Sequence, residues 1–328
     1  MAGGDRTPLP FGWAEDVART DARRPMCHCA TVAAIPSTDG ERLIAAWYAG
    51  TAECRPDVAI FTATWTERAG WSAPRLFADT PGRPDGNAVL GVAPDGVLWM
   101  FFATLTGDHW RSACLRRAAS VDGGQTWSAP EEMVGAEIGW LVRNKPVVHG
   151  GRWLLPVYDE VRWEGFVLTS DDAGRTWSAG GRIRAPLGCI QPTLLGAPDG
   201  TLTALLRCGR EGGPLWMARS DDGGVTWSET VAAGLHNPNS GCDGVSDPDG
   251  AWCLACNDQP QPVGRRELAL RISRDGGATW PVRAVVAAGA GEYSYPALIP
   301  ATGGGMHLLY THERTQIRHL RIRPGWPA

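Results

Sequence analysis

No stretch of the 328-residue chain approaches the roughly 18 consecutive apolar residues needed for a membrane-crossing helix. The opening MAGGDRTPLPFGWAEDVA lacks the apolar centre of a secretory leader. Charge of one sign is equally scarce: 31 Lys and Arg against 35 Asp and Glu give a net charge of −4, with no basic cluster. Neither nucleic acid nor a membrane surface is therefore an expected partner. A disulfide framework is missing too, since the nine cysteines are odd in number and irregularly spaced. The close pairs Cys27-x-Cys29 and Cys253-x-x-Cys256 fall in segments of strand character, where Cys253 and Cys256 would point to opposite faces. They read as buried thiols, so no metal and no cofactor is expected, and the cytoplasm is the expected location. No helix of any length is needed to account for the remainder.

Present in quantity are glycine (42), proline (25) and tryptophan (16), the composition of many short strands joined by tight turns. One phrase recurs: SVDGGQTW from Ser120, SDDAGRTW from Ser170, SDDGGVTW from Ser220 and SRDGGATW from Ser273, spaced 50, 50 and 53 residues apart. A fixed period of this length signals a repeat architecture rather than separate domains. Each copy suits a tight turn, with Asp and Ser side chains bonding nearby amides and Gly supplying positive φ. The Thr and Trp then lead into a strand whose large ring can be buried against the next unit.

The pattern S-x-D-x-G-x-T-W resembles the Asp box (BNR repeat) of sialidases and related β-propellers, and the resemblance extends over nearly the whole chain. It implies an all-β, six-bladed β-propeller forming a single domain over residues 1–328, with box turns at the outer edge, away from any active centre. The blades are expected at about 27–80, 85–134, 143–185, 189–235, 239–287 and 292–322. The first has a decayed box before Trp71 and the last has none. A strand near residues 9–17 is expected to complete the last blade and so close the ring.

In such a ring the innermost strands converge, so unusual polar residues around their starts are the candidates for chemistry. These are His28, Asn87, Arg143 with Lys145, Gln191, Asn239 and Asp243, and Glu292, Tyr293 and Tyr295. Arg207 and Arg266 lie at strand ends aimed the same way, while Glu53 and Asp57 follow the second strand of the first blade. So many cations around one channel would be costly without an anion to bind, so a small molecule or glycan carrying an anionic group is the expected partner.

Sialidases hold a substrate carboxylate with three arginines, use a tyrosine paired with a glutamate as nucleophile, and an aspartate as acid/base. The resemblance assigns Arg207 and Arg266 to two of the arginines and Tyr295 to the nucleophile, with Tyr293 as second candidate. It departs from the family at Cys27-His28-Cys29, where an Arg-Ile-Pro motif is expected, and at Gln191, which stands where the glutamate belongs. Glu53 and Asp57 are the candidates for acid/base. A phenol near its ordinary pKa of about 10 needs a neighbouring base, here Glu292, His28 or Asp57. Three readings follow: hydrolysis of an acidic glycoside, elimination across a uronic acid with a His28/Tyr base, or a non-hydrolytic intracellular propeller serving small-molecule metabolism or binding.

Overall fold

A computed structural model describes residues 11–209, 213–247 and 249–325. They form six antiparallel sheets of four or five strands arranged as the blades of a propeller, with only two three-residue 3-10 turns as helix. The innermost strands are Met26–Ile35, Asp85–Val92, Cys189–Gly196, Asp243–Ser246 and Tyr293–Pro300 in the first, second, fourth, fifth and sixth blades.

The third blade departs from the simple expectation of one inner strand starting near Lys145. Its inner edge is broken into Trp140–Val142 and Val147–His149, both paired with Arg152–Asp159. The intervening residues leave the sheet to bridge its neighbours. Asn144 donates to the carbonyls of Gln191 and Pro192 at 3.1 and 3.0 Å, and Lys145 donates to Asp243 and the Gly244 carbonyl at 2.8 Å each. Pro146, which has no N–H for a ladder, fits this gap.

The core is a ring of apolar clusters, most of which straddle a blade boundary. Ile44, Ile60, Met100 and Phe102 join the first blade to the second, Phe101, Trp153 and Phe166 the second to the third, and Trp47, Trp65 and Ile299 the sixth to the first. Alternating side chains thus serve two boundaries per sheet. The two buried thiols of Trp252–Cys256 show it: Cys253 packs towards the sixth blade and Cys256 towards the fourth.

The four box turns share one geometry. In the second blade, Ser120 donates to Asp122 at 2.8 Å, and Asp122 receives the Thr126 hydroxyl at 2.5 Å and its amide at 2.9 Å. The same bonds recur at Asp172, Asp222 and Asp275, where the threonine hydroxyl and amide hold the carboxyls down at about 2. All four carboxylates are spent inside their turns.

The expected closing strand is Phe11–Arg19, paired antiparallel to Gln316–Ile322 as the outer strand of the sixth blade; residues 9 and 10 lie outside the described residues. Beside it runs a one-way relay. Trp71 can only donate, so its indole N–H fixes His319 Nδ1 as acceptor at 3.1 Å. His319 Nε2–H then donates to His307 Nδ1 at 2.8 Å, and His307 Nε2–H to Glu41 at 2.9 Å.

Candidate active site

Four inner strands carry the same irregularity at their third or fourth residue. The pairing register slips after His28, Gly86, Ile190 and Ser294, and the next residue, Cys29, Asn87, Gln191 or Tyr295, adopts left-handed backbone with φ between 49° and 58°. A bulge of this kind turns a side chain off the sheet face. Left-handed backbone costs a non-glycine residue about 1–2 kcal/mol, so four copies are a substantial expense of stability for placing side chains at the axis.

Tyr295 lies at the centre. Its hydroxyl receives a hydrogen bond from Arg207 Nη1 at 2.7 Å, and the same nitrogen donates to Gln191 Oε1 at 3.1 Å. Arg207 Nε donates to Asn239 Oδ1 at 2.7 Å, which locks the guanidinium plane. Arg143, Arg265 and Arg207 stand 5.0, 5.3 and 6.0 Å from the centre of the Tyr295 ring. Arg143 is anchored by donating to the Pro296 carbonyl at 2.8 Å.

Carboxylates offset part of this charge. Glu292 accepts from Arg265 at 3.2 Å, from Arg314 at 2.7 Å and from the Ser294 hydroxyl at 2.6 Å. Burial pushes its carboxyl up, but the two arginines outweigh that and hold it below the usual range. Arg314 also bridges to Glu53 at 2.5 Å. His28 is 1 % exposed, its ring centre 4.4 Å from that of Tyr295 and its Nε2 3.6 Å from Glu53, and neither ring nitrogen has a hydrogen-bond partner. Burial, reinforced by Arg314, Arg265, Arg143 and Arg207, keeps it neutral far below its ordinary pKa.

These groups open onto an axial cavity of about 220 Å³, whose far wall is Tyr48, Trp110, Tyr158 and Glu160. Asn87 donates to the Tyr158 hydroxyl at 2.8 Å, and burial raises the Tyr48 and Tyr158 phenols well above their ordinary pKa. Burial likewise pushes the Glu160 carboxyl up to about 7, opposed only in part by Arg207 and Arg111. The cavity is smaller than the roughly 300–1,000 Å³ of most ligand pockets, a size for one sugar ring.

Of the residues expected from sequence, His28, Glu53, Asn87, Arg143, Gln191, Arg207, Asn239, Glu292 and Tyr295 come together here. Arg266 requires correction. The 3-10 turn Gly264–Arg266 spaces successive side chains by roughly 120°, so Arg265 faces Tyr295 while the exposed Arg266 lines an adjoining depression. Asp57 is taken up by the Thr51 amide and hydroxyl at 2.9 and 2.8 Å. Tyr293 packs into the apolar cluster between the fifth and sixth blades and donates its hydroxyl to Glu313 at 3.0 Å. Lys145 and Asp243 pair with each other, and Asp243 also accepts from the Leu298 amide at 2.7 Å, which makes them a staple between blades.

Sequence reasoning missed Tyr48, Trp110, Tyr158, Glu160, Arg265 and Arg314. Tyr48 pairs with His28 as Arg207 pairs with Ile190, the same register in another blade. The rule that selected Arg207, a polar residue ending a middle strand, would have selected Tyr48 and Tyr158. Among the described residues, no group of three or more His, Cys, Asp or Glu is placed to hold a metal ion.

The model of the BNR repeat-like domain matches residues 41–308. A sialidase of Micromonospora viridifaciens is 27% identical over 278 residues, covering 80% of this chain, which spans 39% of that protein's length. Among solved structures, a Hadza microbial sialidase superposes with a TM-score of 0.77 at 20% identity, over 91% of this chain and 66% of its own. A Dyadobacter fermentans protein of unknown function does so with a TM-score of 0.77 at 19% identity, over 95% and 99%. At such identities the structural likeness speaks for the fold alone. With the domain match spanning most of its blades, the chain belongs to the BNR repeat-like family, as a divergent sialidase-like six-bladed propeller.

Proposed function

We propose that this propeller is a glycoside hydrolase acting on a single acidic sugar at the end of a glycoside, with the sugar's carboxylate held by Arg207 and Arg265. The observation that carries the reading is the convergence of Arg143, Arg207 and Arg265 on the ring of Tyr295 beside one small cavity. Buried guanidinium groups gathered this closely favour an anionic ligand, because burial strips them of the water that would otherwise stabilise and screen their charge. Tyr295 faces the reacting carbon in this reading. Arg207 already donates to its oxygen, so negative charge developing there meets a fixed cation. Tyr48, Trp110 and Tyr158 offer the apolar wall against which a ring can lie. Replacing Tyr295 by Phe removes only that oxygen. The hydrolase reading expects turnover of sialoside or uronide substrates by the unaltered protein and a loss of at least about 100-fold in kcat for Tyr295→Phe. Unchanged turnover in the variant overturns it.

A second reading, elimination across a uronic acid, is favoured by His28. Its imidazole is neutral, buried against Tyr295 and unpartnered at both nitrogens, as a base requires. It also needs no carboxylate at Gln191. An ultraviolet-absorbing unsaturated product supports it, and a saturated reducing sugar supports hydrolysis.

A further inference from the structure

Given the hydrolase chemistry above, a proton must reach the departing oxygen, and the carboxylates near the axis are not equally free to bring it. Glu53 is engaged by Arg314, and Glu292 by Arg265 and Arg314 together. Asp57 is consumed by the Thr51 turn. Asp159 is wholly buried and occupied by Arg162 at 2.6 Å and by the amides of Val161 and Arg162 at 2.9 Å each.

Glu160, one residue further on, is different. Among the described residues its side chain makes no hydrogen bond and no ion pair, yet it lines the axial cavity with Tyr158, Gln191, Arg207 and Tyr295. Its backbone is fixed, because its amide donates to the Gly139 carbonyl at 2.9 Å where the turn closes Arg152–Asp159 onto Glu164–Ser170. A carboxyl left without a partner on a rigid turn at the edge of a substrate-sized cavity suits a group whose partner is the substrate.

We propose that Glu160 is the acid of this site, giving its proton to the oxygen that leaves when the glycosidic bond breaks. The electron pair of the breaking C–O bond stays on that oxygen, which takes the Glu160 proton and departs as the free alcohol. The water that then bonds to the anomeric carbon returns a proton to the Glu160 carboxylate, so that hydrolysis consumes one water and regenerates the acid. The groups that set its protonation are Arg207 across the cavity, Arg111 on the second-blade side and Asp159 beside it in the chain, with Glu53, Arg265, Arg314, Tyr48, Tyr158 and Tyr295 lining the same space. Burial outweighs the two arginines, which leaves the carboxyl protonated up to about pH 7.

The test uses methyl and 4-nitrophenyl glycosides of sialic and hexuronic acids, with the full chain and its Glu160→Gln variant. The acid role expects a kcat loss of about 100-fold or more on methyl glycosides, whose leaving group needs the proton. It expects a loss of less than about 10-fold on 4-nitrophenyl glycosides, whose leaving group does not, with KM little changed and partial rescue by formate. The fall in wild-type activity as pH rises through about 7 should vanish in the variant. Independently of turnover, the difference infrared spectrum of the two proteins at pH 6 should contain the band of one protonated carboxyl. Wild-type turnover with equal losses on both leaving groups, or no loss, overturns the assignment of Glu160 and leaves the hydrolase reading standing, as does absence of that infrared band. No turnover of any acidic glycoside by the unaltered protein overturns the hydrolase reading, and the role of Glu160 with it.

Discussion

The guanidinium of Arg207 and the hydroxyl of Tyr295, 88 residues apart in sequence, meet at 2.7 Å on the propeller axis. Arg207 also satisfies Gln191 and Asn239, so three polar groups from three blades depend on one side chain. Arg207→Met should therefore cost more than a charge. It leaves the Tyr295 oxygen, Gln191 Oε1 and Asn239 Oδ1 without that donor in a buried setting, at about 1.5–3 kcal/mol for a hydrogen bond to a charged group. The expected outcome is a fall of roughly 10- to 150-fold or more in kcat/KM on an acidic glycoside, measured beside an unchanged circular dichroism spectrum. Arg207→Lys should recover little, because an ammonium cannot reproduce the planar fork.

Lys145 and Asp243 offer the opposite case, charged residues near the axis whose work is structural. Asp243 is 2 % exposed and accepts from Lys145, Thr193 and the Leu298 amide, tying blades three, four, five and six together. Lys145→Met strands a buried carboxylate, which typically costs about 3–5 kcal/mol. Urea denaturation should show that loss, and the Lys145→Met, Asp243→Asn double variant should recover part of it.

The His307–His319 relay makes stability depend on pH in a defined direction. Burial lowers both imidazoles, His307 to about 4, so the fold holds them neutral while the unfolded chain takes up protons at about 6.5. The stabilisation is therefore complete above about pH 6.5 and is lost as pH falls towards 4, a swing of a few kcal/mol. Protonating His319 at Nδ1 also displaces the Trp71 donor. The urea midpoint should drop between pH 7.5 and 4.5, and His307→Gln should flatten that dependence. The box aspartates, held near 2, come into play only at lower pH.

Gly86 controls the aromatic wall. A Cβ placed there would lie 2.8 Å from Trp110 Cη2, so Gly86→Ala must push the indole aside. Overpacking of this kind costs about 1–3 kcal/mol, and here part of it falls on the cavity. KM for an acidic glycoside should rise several-fold with a smaller change in kcat.

Box turns declare themselves in sequence because their chemistry is local: Ser120, Asp122 and Thr126 bond one another within seven residues. Six repeats, their order and the closing strand follow from that periodicity. Part of the site is legible where inner strands begin or middle strands end, as at Arg207, Gln191 and Tyr295. Arg265 rather than Arg266 reaches the axis because a 3-10 turn rotates the pair, and a one-residue rotation leaves no mark in composition. Arg314 and Glu160 occupy hairpin turns, where polar residues are ordinary, and only the closed ring shows that those turns overhang the cavity. The break around Asn144 answers to partners in neighbouring blades, contacts that no local pattern records.

Phe11–Arg19 is synthesised some 300 residues before the hairpin it joins, Met306–His312 with Gln316–Ile322. At about 5–20 residues per second, the strand waits roughly 15–60 s for its partner. Throughout that interval Val17 and Ala18, destined for burial, remain accessible to chaperones and to other nascent copies. The circular seam thus sets a kinetic vulnerability during translation that the finished ring no longer displays.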